Sequence, residues 1–187
     1  MKKGDIMDEK LQSTKTALID FDKKIISKKI PEWDELPSID LYMDQVIVLL
    51  NMYLNSDGTN AITQSMINNY VKQKAIPAPV KKKYSKIHLA YLIIFCTLKQ
   101  TMSISAIQKV IPVNMTESEI IKTYNSFLQS KAEAIKYSSA QIKVFLKVLE
   151  DDKNADALNI IAQVANIANT FKSLNETLIN FEQENKQ

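Results

Sequence analysis

The sequence predicts an all-α fold with at most a minimal β wing. The chain has only two glycines and five prolines among 187 residues, too few for the many turns of a β-sandwich or barrel. Apolar residues recur at steps of three and four along several segments, which is typical of amphipathic helices. Residues 86–100 are apolar on all sides over their central turns, which indicates a buried central helix. A chain of this length can bury a substantial core.

The first segment, residues 1–36, is predicted to be an N-terminal helical arm and a connector. A helix is expected within residues 8–29, where apolar residues lie at loosely helical spacing among lysines. Pro31 and Pro37 disfavour helix at the residues before them, so "IPEWDELPSID" is interpreted as a connector. We expect Trp33 to anchor it to a core.

The second segment, residues 37–112, is predicted to be the principal domain. Residues 41–54 present one broad apolar face, and the turn signal "NSDGTN" ends that helix. Thr63 is then suited to cap a helix that runs to about Lys74. The apolar residues of this helix form one stripe, which is expected to be buried: Met66, Ile67, Tyr70 and Val71.

The outward face of that helix is unusual in composition. It carries Gln64, Ser65, Asn68, Asn69 and Lys72, and asparagine and serine form helices poorly. The following "IPAPVKKKYSK" cannot continue a helix, because proline lacks a backbone donor and fixes φ, so an exposed loop or short ribbon is expected. Ser85 is predicted to cap the buried helix, and Ser103 a short helix before Pro112.

The last segment, residues 113–187, is predicted to be a C-terminal helical domain, with dimerisation as a possible role. "TESE" (116–119) is a capping box that opens one helix, and a second helix is expected from Ser139 to Glu150. A long helix over 155–184 carries an apolar stripe: Leu158, Ile161, Ala165, Ala168, Phe171, Leu174, Leu178 and Phe181. The stripe packs either on the chain's own helices or on a second copy.

Lysine and acid are segregated along the chain. The net charge is +3, every basic residue is lysine, and no acid lies between Asp57 and Glu117. That interval carries +8 and the rest of the chain therefore −5. A basic module with acidic flanks attracts polyanions, although an ordinary solvated face has the same composition.

Catalytic patterns are missing from the sequence. His88 and Cys96 lie eight residues apart on one predicted helix, a rise of roughly 12 Å that is too long for a catalytic dyad or a compact metal pair. Gly4 and Gly58 are too far apart for a phosphate-binding loop. We therefore expect no enzyme, no cofactor and no metal, with Cys96 in the core and His88 either solvated or a minor phosphate contact.

Targeting signals are also missing. Met1 to Lys10 is charged and no apolar signal region follows, while the longest apolar run has eight residues, far below the roughly 18 that a membrane span needs. The single cysteine cannot form an internal disulfide. A cytoplasmic protein without a membrane segment is predicted.

Residues 62–111 resemble the winged helix-turn-helix of MerR-type transcription regulators. The matching positions are the helix start at Ile62 and Thr63, the positions Ile67, Tyr70, Lys72, Ile76 and Pro77, the wing residues Lys82 and Tyr84, Leu89 and Leu92 of the next helix, and the ending "SISAIQKVI". Two departures stand out: Lys74 replaces the glycine that ends the recognition helix, and Lys82 replaces the usual wing arginine.

A longer block, roughly residues 33–135, is similar to the uncharacterised bacterial family catalogued as domain of unknown function eighteen-thirty-six. The two resemblances imply a winged helix-turn-helix followed by a C-terminal helical region, and a DNA-binding regulator as function. The chain lacks the cysteine-rich loop of metal-sensing MerR relatives.

These observations together predict a homodimeric regulator of transcription, a repressor, bound to double-stranded DNA. Without arginine the bidentate contact to guanine is impossible, whereas asparagine and glutamine can pair with adenine, so an A·T-rich site is expected. The predicted DNA-binding residues are Thr63, Gln64, Ser65, Asn68, Asn69, Lys72, Lys74, Lys81, Lys82, Lys83, Tyr84 and Lys86. The alternative is a protein-interaction module that binds an acidic partner. An RNA-binding protein is a further rival, but of the basic region's tyrosines only Tyr84 is expected to be exposed for stacking.

Overall fold

The computed structural model of the chain describes residues 3–55, 61–151 and 157–184, with side chains from residue 9 onward. Within these residues the fold is helical with one small antiparallel sheet, so the predicted all-α class with a minimal β element is confirmed. The elements are α1 (Lys3–Ser27), a 3-10 turn (Trp33–Glu35), β1 (Leu41–Tyr42), α2 (Met43–Leu54), α3 (Gln64–Lys72), β2 (Lys83–Tyr84), α4 (Lys86–Leu98), α5 (Ile104–Val110), α6 (Glu117–Asp151) and α7 (Ala157–Glu184).

Contacts divide the chain into two compact units. The central unit comprises residues 29–130 and 179–187, and the helical unit comprises residues 1–28 and 131–178. None of the described helices combines the length and the apolar character needed to cross a membrane.

Helix α4 is the centre of the central unit. Its residues His88 to Cys96 are all buried, which confirms the predicted buried central helix. Tyr70 of α3 packs on Phe95 of α4 with ring centroids 4.5 Å apart. Because a helix without a solvent-facing side must be covered all round, α2, α3, α5 and the start of α6 contribute to one core.

The connector before β1 is attached to that core by aromatic side chains. Half-buried Trp33 packs edge-on against Tyr124 of α6, with centroids 6.1 Å apart, so its predicted anchoring role is confirmed. The Tyr124 hydroxyl donates a hydrogen bond to the Pro31 carbonyl at 2.7 Å. Burial raises the pKa of Tyr124 well above its usual range, with smaller contributions from Tyr53 and Glu35.

Helix α6 corrects the prediction of two separate helices in this region. It is one helix from Glu117 to Asp151. The predicted capping box opens it, because Thr116 donates its N–H and its hydroxyl to the Glu119 carboxylate, each at 2.7 Å. These bonds hold the pKa of Glu119 below its usual value. Residues 129–138 lack glycine and proline, so nothing in them stops the helix.

The helical unit is built from α1, the later part of α6 and α7. Its buried centre is small: Phe145, Leu149 and Ile160 pack together, with Leu11 and Leu18 of α1 against them. Helix α1 extends the predicted N-terminal helix back to Lys3. Many large apolar side chains of α6 and α7 remain exposed in this unit.

Replacing Tyr124 by phenylalanine tests the attachment of the connector. The variant loses a buried hydrogen bond and leaves the Pro31 carbonyl unpaired, so the free energy of unfolding should fall by about 1–2 kcal/mol. Because the folded-state pKa of Tyr124 is raised, this contribution is complete below pH 10 and decreases as the unfolded chain ionises above about pH 10. Urea unfolding at neutral and alkaline pH measures both effects. The matched control is Tyr137→Phe, which keeps the aromatic ring and removes only the hydroxyl of a tyrosine that is 60% exposed, so the free energy of unfolding should not change. Equal losses in the two variants would contradict the assignment.

Candidate nucleic-acid interface

The start of α3 is fixed by a side chain from α2. The Asn51 amide donates through Nδ2 to the Ile62 carbonyl at 2.9 Å and accepts through Oδ1 from the Ile62 N–H at 2.8 Å. Thr63 then caps α3, as predicted, because its hydroxyl oxygen accepts from the Met66 N–H at 3.3 Å. The sequence analysis did not identify Asn51, whose partner lies 11 residues away. Helix α3 is thus positioned by its own helical neighbour.

Helix α3 presents a polar face to solvent. Ile67 and Tyr70 are buried, whereas Met66 of the predicted buried stripe is 37% exposed. The exposed polar residues are Gln64, Ser65, Asn68, Asn69 and Lys72. The Asn69 Oδ1 accepts from Gln73 Nε2 at 3.0 Å, but no hydrogen bond within the described residues engages the side chains of Gln64, Ser65 or Asn68. Their amide and hydroxyl groups are therefore available to a ligand.

Lys74 closes α3 in a left-handed backbone conformation. The helix ends at Lys72, two residues before the predicted end, and Lys74 has φ 53°. The Ala75 N–H donates to the Tyr70 carbonyl and the Lys74 N–H donates to the Val71 carbonyl, both at 2.9 Å. These two bonds define a Schellman motif, whose left-handed position normally holds glycine. Lysine at this position keeps the glycine conformation and adds an exposed charge.

Lys81 and Lys82 form the tip of a two-residue hairpin. The Val80 N–H donates to the Lys83 carbonyl at 3.0 Å, and the Lys83 N–H donates back to the Val80 carbonyl at 2.9 Å. Lys81 and Lys82 have φ 49° and 65°, which is the pattern of a type I′ turn. Such turns favour Asn-Gly, because both central residues have positive φ. The expected loop or short ribbon is therefore a tight hairpin with two exposed lysines at its tip.

The hairpin is joined to a strand that precedes α2. Strands β1 and β2 are antiparallel, with Tyr42 opposite Lys83. The Lys83 ammonium lies 5.2 Å from the centroid of the Tyr42 ring, within the range of a cation–π interaction. Tyr42 is 52% exposed. The sequence analysis did not identify Tyr42 because it precedes the acid-free interval. Its strand also has only two residues, too few for an alternating apolar and polar pattern to be recognised.

Two predicted surface residues are buried. Tyr84 is 2% exposed and belongs to the core, so it is not part of the exposed basic surface. His88 is also buried, which corrects the expectation that it is solvated or contacts phosphate. Its Nε2 lies 3.0 Å from the Ala78 carbonyl, and its Nδ1 lies 3.1 Å from the Ser85 N–H and 2.8 Å from the Ser85 hydroxyl. A carbonyl only accepts, so Nε2 carries the proton and Nδ1 accepts.

The remaining predicted residues divide by exposure. Lys83 and Lys86 are half-buried, and the Lys86 ammonium lies 5.0 Å from the centroid of the Trp33 ring. The exposed residues of the predicted set are Thr63, Gln64, Ser65, Asn68, Asn69, Lys72, Lys74, Lys81 and Lys82. We call these nine residues, with Lys83, the basic surface. Thr63 is the N-cap of α3, and the other residues lie on α3 or on the segment between α3 and α4.

Groups suited to metal binding do not gather in the described ranges. No three His, Cys, Asp or Glu side chains there come close enough to hold a metal ion. Cys96 is buried as expected, and its burial raises the pKa of the thiol to about 12. A thiol with so high a pKa is a poor nucleophile at neutral pH.

Lys74→Gly tests whether the left-handed conformation strains the chain. Glycine removes the steric cost of positive φ, so the free energy of unfolding should rise by about 1 kcal/mol. The matched control is Lys72→Gly, two residues earlier at the last position of the helix, which should lower that free energy by up to about 1 kcal/mol. Urea unfolding of both variants provides the comparison. If Lys74→Gly does not raise the free energy of unfolding, Lys74 is not strained.

Comparison with known proteins places this surface within one family. No curated protein and no solved structure is similar enough to match the chain. The model of the family described as Domain of unknown function (DUF1836) matches residues 31–127, just over half of the 187 residues. The matched range contains α2 to α5, both strands and the whole basic surface. The chain therefore belongs to the DUF1836 family.

Proposed function

We propose that the chain is a sequence-specific DNA-binding regulator of transcription, and that it acts as a repressor. The basic surface binds the duplex: its lysines contact phosphates and the outward face of α3 contacts base edges. The observation that carries the proposal is the use of lysine at three left-handed backbone positions, Lys74, Lys81 and Lys82.

These three lysines are a costly choice for folding. A residue with a Cβ in the left-handed conformation costs roughly 1–2 kcal/mol relative to the right-handed one, and a whole domain is stable by only about 5–15 kcal/mol. Glycine or asparagine would relieve the strain at each position. Residues held in unfavourable conformations are concentrated at functional sites. Positive charge at these points is the property that glycine and asparagine lack.

The order of elements supports a winged helix-turn-helix. A short strand precedes α2, α3 follows α2, and a hairpin that pairs with that strand precedes the buried α4. In this arrangement α3 is the recognition helix and the Lys81–Lys82 hairpin is the wing, as the likeness to MerR-type regulators implies. The N-terminal part of a recognition helix contacts base edges in such domains, and here it holds Gln64, Ser65 and Asn68.

The side-chain chemistry of α3 favours adenine. Asparagine and glutamine amides can pair with the N6 and N7 atoms of adenine, while guanine is bound most often by arginine. The chain contains no arginine, and the exposed amides of Gln64 and Asn68 have no partner within the described residues. The proposed site is accordingly rich in A·T pairs.

Two rival ligands remain for the basic surface. An acidic protein would be attracted by the same lysines, and single-stranded RNA would gain stacking on exposed Tyr42. Neither accounts for the row of amide and hydroxyl groups on α3 as well as duplex DNA does. Competition by duplex DNA, RNA and an acidic polypeptide distinguishes the three.

The salt dependence of binding tests the role of the hairpin. For the natural chain we expect log affinity to fall against log salt with a slope of roughly −4 to −5 per protomer. The double variant Lys81→Asn, Lys82→Gly supplies the preferred turn residues and removes two charges, so the slope should become shallower by about 2. Fluorescence anisotropy with a duplex over a range of salt concentrations gives both slopes.

The control for this experiment is Lys143→Gln, Lys147→Gln, which removes two exposed lysines from α6 in the helical unit. It should leave affinity and slope unchanged. A hairpin variant that binds as the natural chain does, or a complex insensitive to salt, would exclude the proposed wing contact.

Selection from randomised duplexes tests the proposed base preference. The natural chain should enrich A·T-rich sequences, because its exposed amides match adenine. Asn68→Ala should relax the preference at the bases it contacts while keeping the salt slope, since Asn68 carries no charge. Enrichment of G·C-rich sequences by the natural chain would refute the proposed readout by α3.

A further inference from the structure

The apolar face of α7 has the spacing of a coiled coil. Its residues follow steps of four and three without interruption: Ile160, Val164, Ile167, Phe171, Leu174 and Leu178, and the next step reaches Phe181. This is a strict heptad repeat, and we call the six residues from Ile160 to Leu178 the seam. Val164, Phe171 and Leu178 occupy one of the two apolar positions of the repeat, and the other three residues occupy the second. The repeat shares Phe171, Leu174, Leu178 and Phe181 with the predicted stripe, and it has Val164 and Ile167 where that stripe has Ala165 and Ala168.

The seam is exposed within the chain. Ile160 is buried in the centre of the helical unit, but the other five residues are between 37% and 54% exposed. An isolated chain would keep these large apolar side chains in water along about four turns of helix. Contiguous exposed apolar surface of this kind marks an interaction site.

Helix α6 continues the exposed face. The rings of Tyr137 on α6 and Phe171 on α7 are in contact, with centroids 6.2 Å apart. In an antiparallel pair of helices, equal numbers of residues forward on one helix and backward on the other stay opposite each other. Seven residues after Tyr137 on α6 is Val144, and seven residues before Phe171 on α7 is Val164, so these two valines lie opposite each other in an antiparallel register. The buried contact of Leu149 with Ile160 fits the same antiparallel register. Tyr137, Val144 and Val148 are exposed on α6, and they widen the exposed apolar face beside the seam of α7.

We propose that this face of α6 and α7 is a homodimer interface, and that a second copy of the chain covers it. Eight half-exposed apolar side chains, at on the order of 80–100 Å² each, provide about 700 Å² per protomer, close to the roughly 800 Å² per partner of a standard interface. The face is therefore large enough to hold a stable dimer.

The charges beside the seam favour a second copy over a charged partner. The positions that flank a heptad seam normally set partner choice through ion pairs. Here Ile161, Gln163, Ala168, Thr170, Asn175 and Thr177 occupy them, and none is charged. Two identical α7 seams can therefore meet without like-charge repulsion, whereas a charged partner would find no ion pair along the α7 seam.

Sedimentation equilibrium of the full chain tests the proposal. At about 50 μM, where an interface of standard size should be occupied, the natural chain should have twice its 21.3 kDa mass. The variant Ile167→Glu, Leu174→Glu places charge at two seam positions and should raise the dimer dissociation constant by about 100-fold or more. A natural chain that is monomeric at this concentration overturns the proposal.

The matched control shifts each substitution by one residue. Asn166→Glu, Ser173→Glu introduces the same charges on the same helix, at exposed positions beside the seam residues but pointing away from the seam. It should remain dimeric. Equal effects of the two double variants, or no effect of either, would refute this face as the interface. Should the seam variant lose its helical circular dichroism, the single variants Ile167→Gln and Leu174→Gln replace it, each with about a tenfold effect expected.

The measurement contains no nucleic acid, so it stands apart from the proposed function. A dimer that fails to bind DNA would refute only the proposed function, and a monomer that binds DNA would refute only the interface.

Discussion

The burial of α4 on all sides determines the architecture of the central unit. Nine consecutive residues, His88 to Cys96, are buried, so every neighbouring element must turn an apolar face inward. The two side chains among them that carry nitrogen or oxygen, His88 and Tyr91, both have hydrogen-bond partners. His88 binds Ala78 and Ser85, and the Tyr91 hydroxyl donates to the Pro112 carbonyl at 2.9 Å and accepts from the Met115 N–H at 3.2 Å. The bonds to Ala78, Pro112 and Met115 each attach a connecting segment to this helix.

The His88 contacts explain how a strained hairpin can persist. Strain in the backbone survives only where the surroundings hold it in place. His88 joins the first turn of α4 to Ala78, between Pro77 and Pro79, while β2 pairs with β1 at the far side of the hairpin. The proline segment and the strand therefore fix both arms of the turn, and Lys81 and Lys82 at its tip cannot relax into a wider loop. A basic surface built this way is presented by rigid parts of the fold.

The features predicted correctly from the sequence are those that depend on neighbouring residues. Thr63, Ser103 and the Thr116–Glu119 box cap helices through bonds that span three residues. The burial of α4 follows from its composition alone. The continuity of α6 was not predicted, because the helical spacing of apolar residues is interrupted at residues 129–138. The lysine, alanine and glutamate residues of that stretch nevertheless form helix well.

The features that were missed depend on the tertiary structure. Tyr84 and His88 follow a lysine-rich segment that suggests exposure, yet the pairing of β2 with β1 and the packing on α4 bury them. The left-handed lysines could not be predicted, because positive φ is normally indicated by glycine or asparagine and neither is present there. The exposure of the α7 seam likewise required the structure, since sequence periodicity shows that a face is apolar without showing what covers it.

The paired hydrogen bonds between Asn51 and Ile62 indicate where the chain could be interrupted or extended. The side chain of α2 reproduces, through both its donor and its acceptor, the pairing that a neighbouring strand would give to Ile62. The contact with α2 therefore fixes the start of α3, and the length of the chain segment between residues 55 and 61 does not. Loop length contributes only slowly to the entropy of closure. This is consequently the point where the chain could accept an inserted domain, or new termini after circular permutation, with α3 still in place.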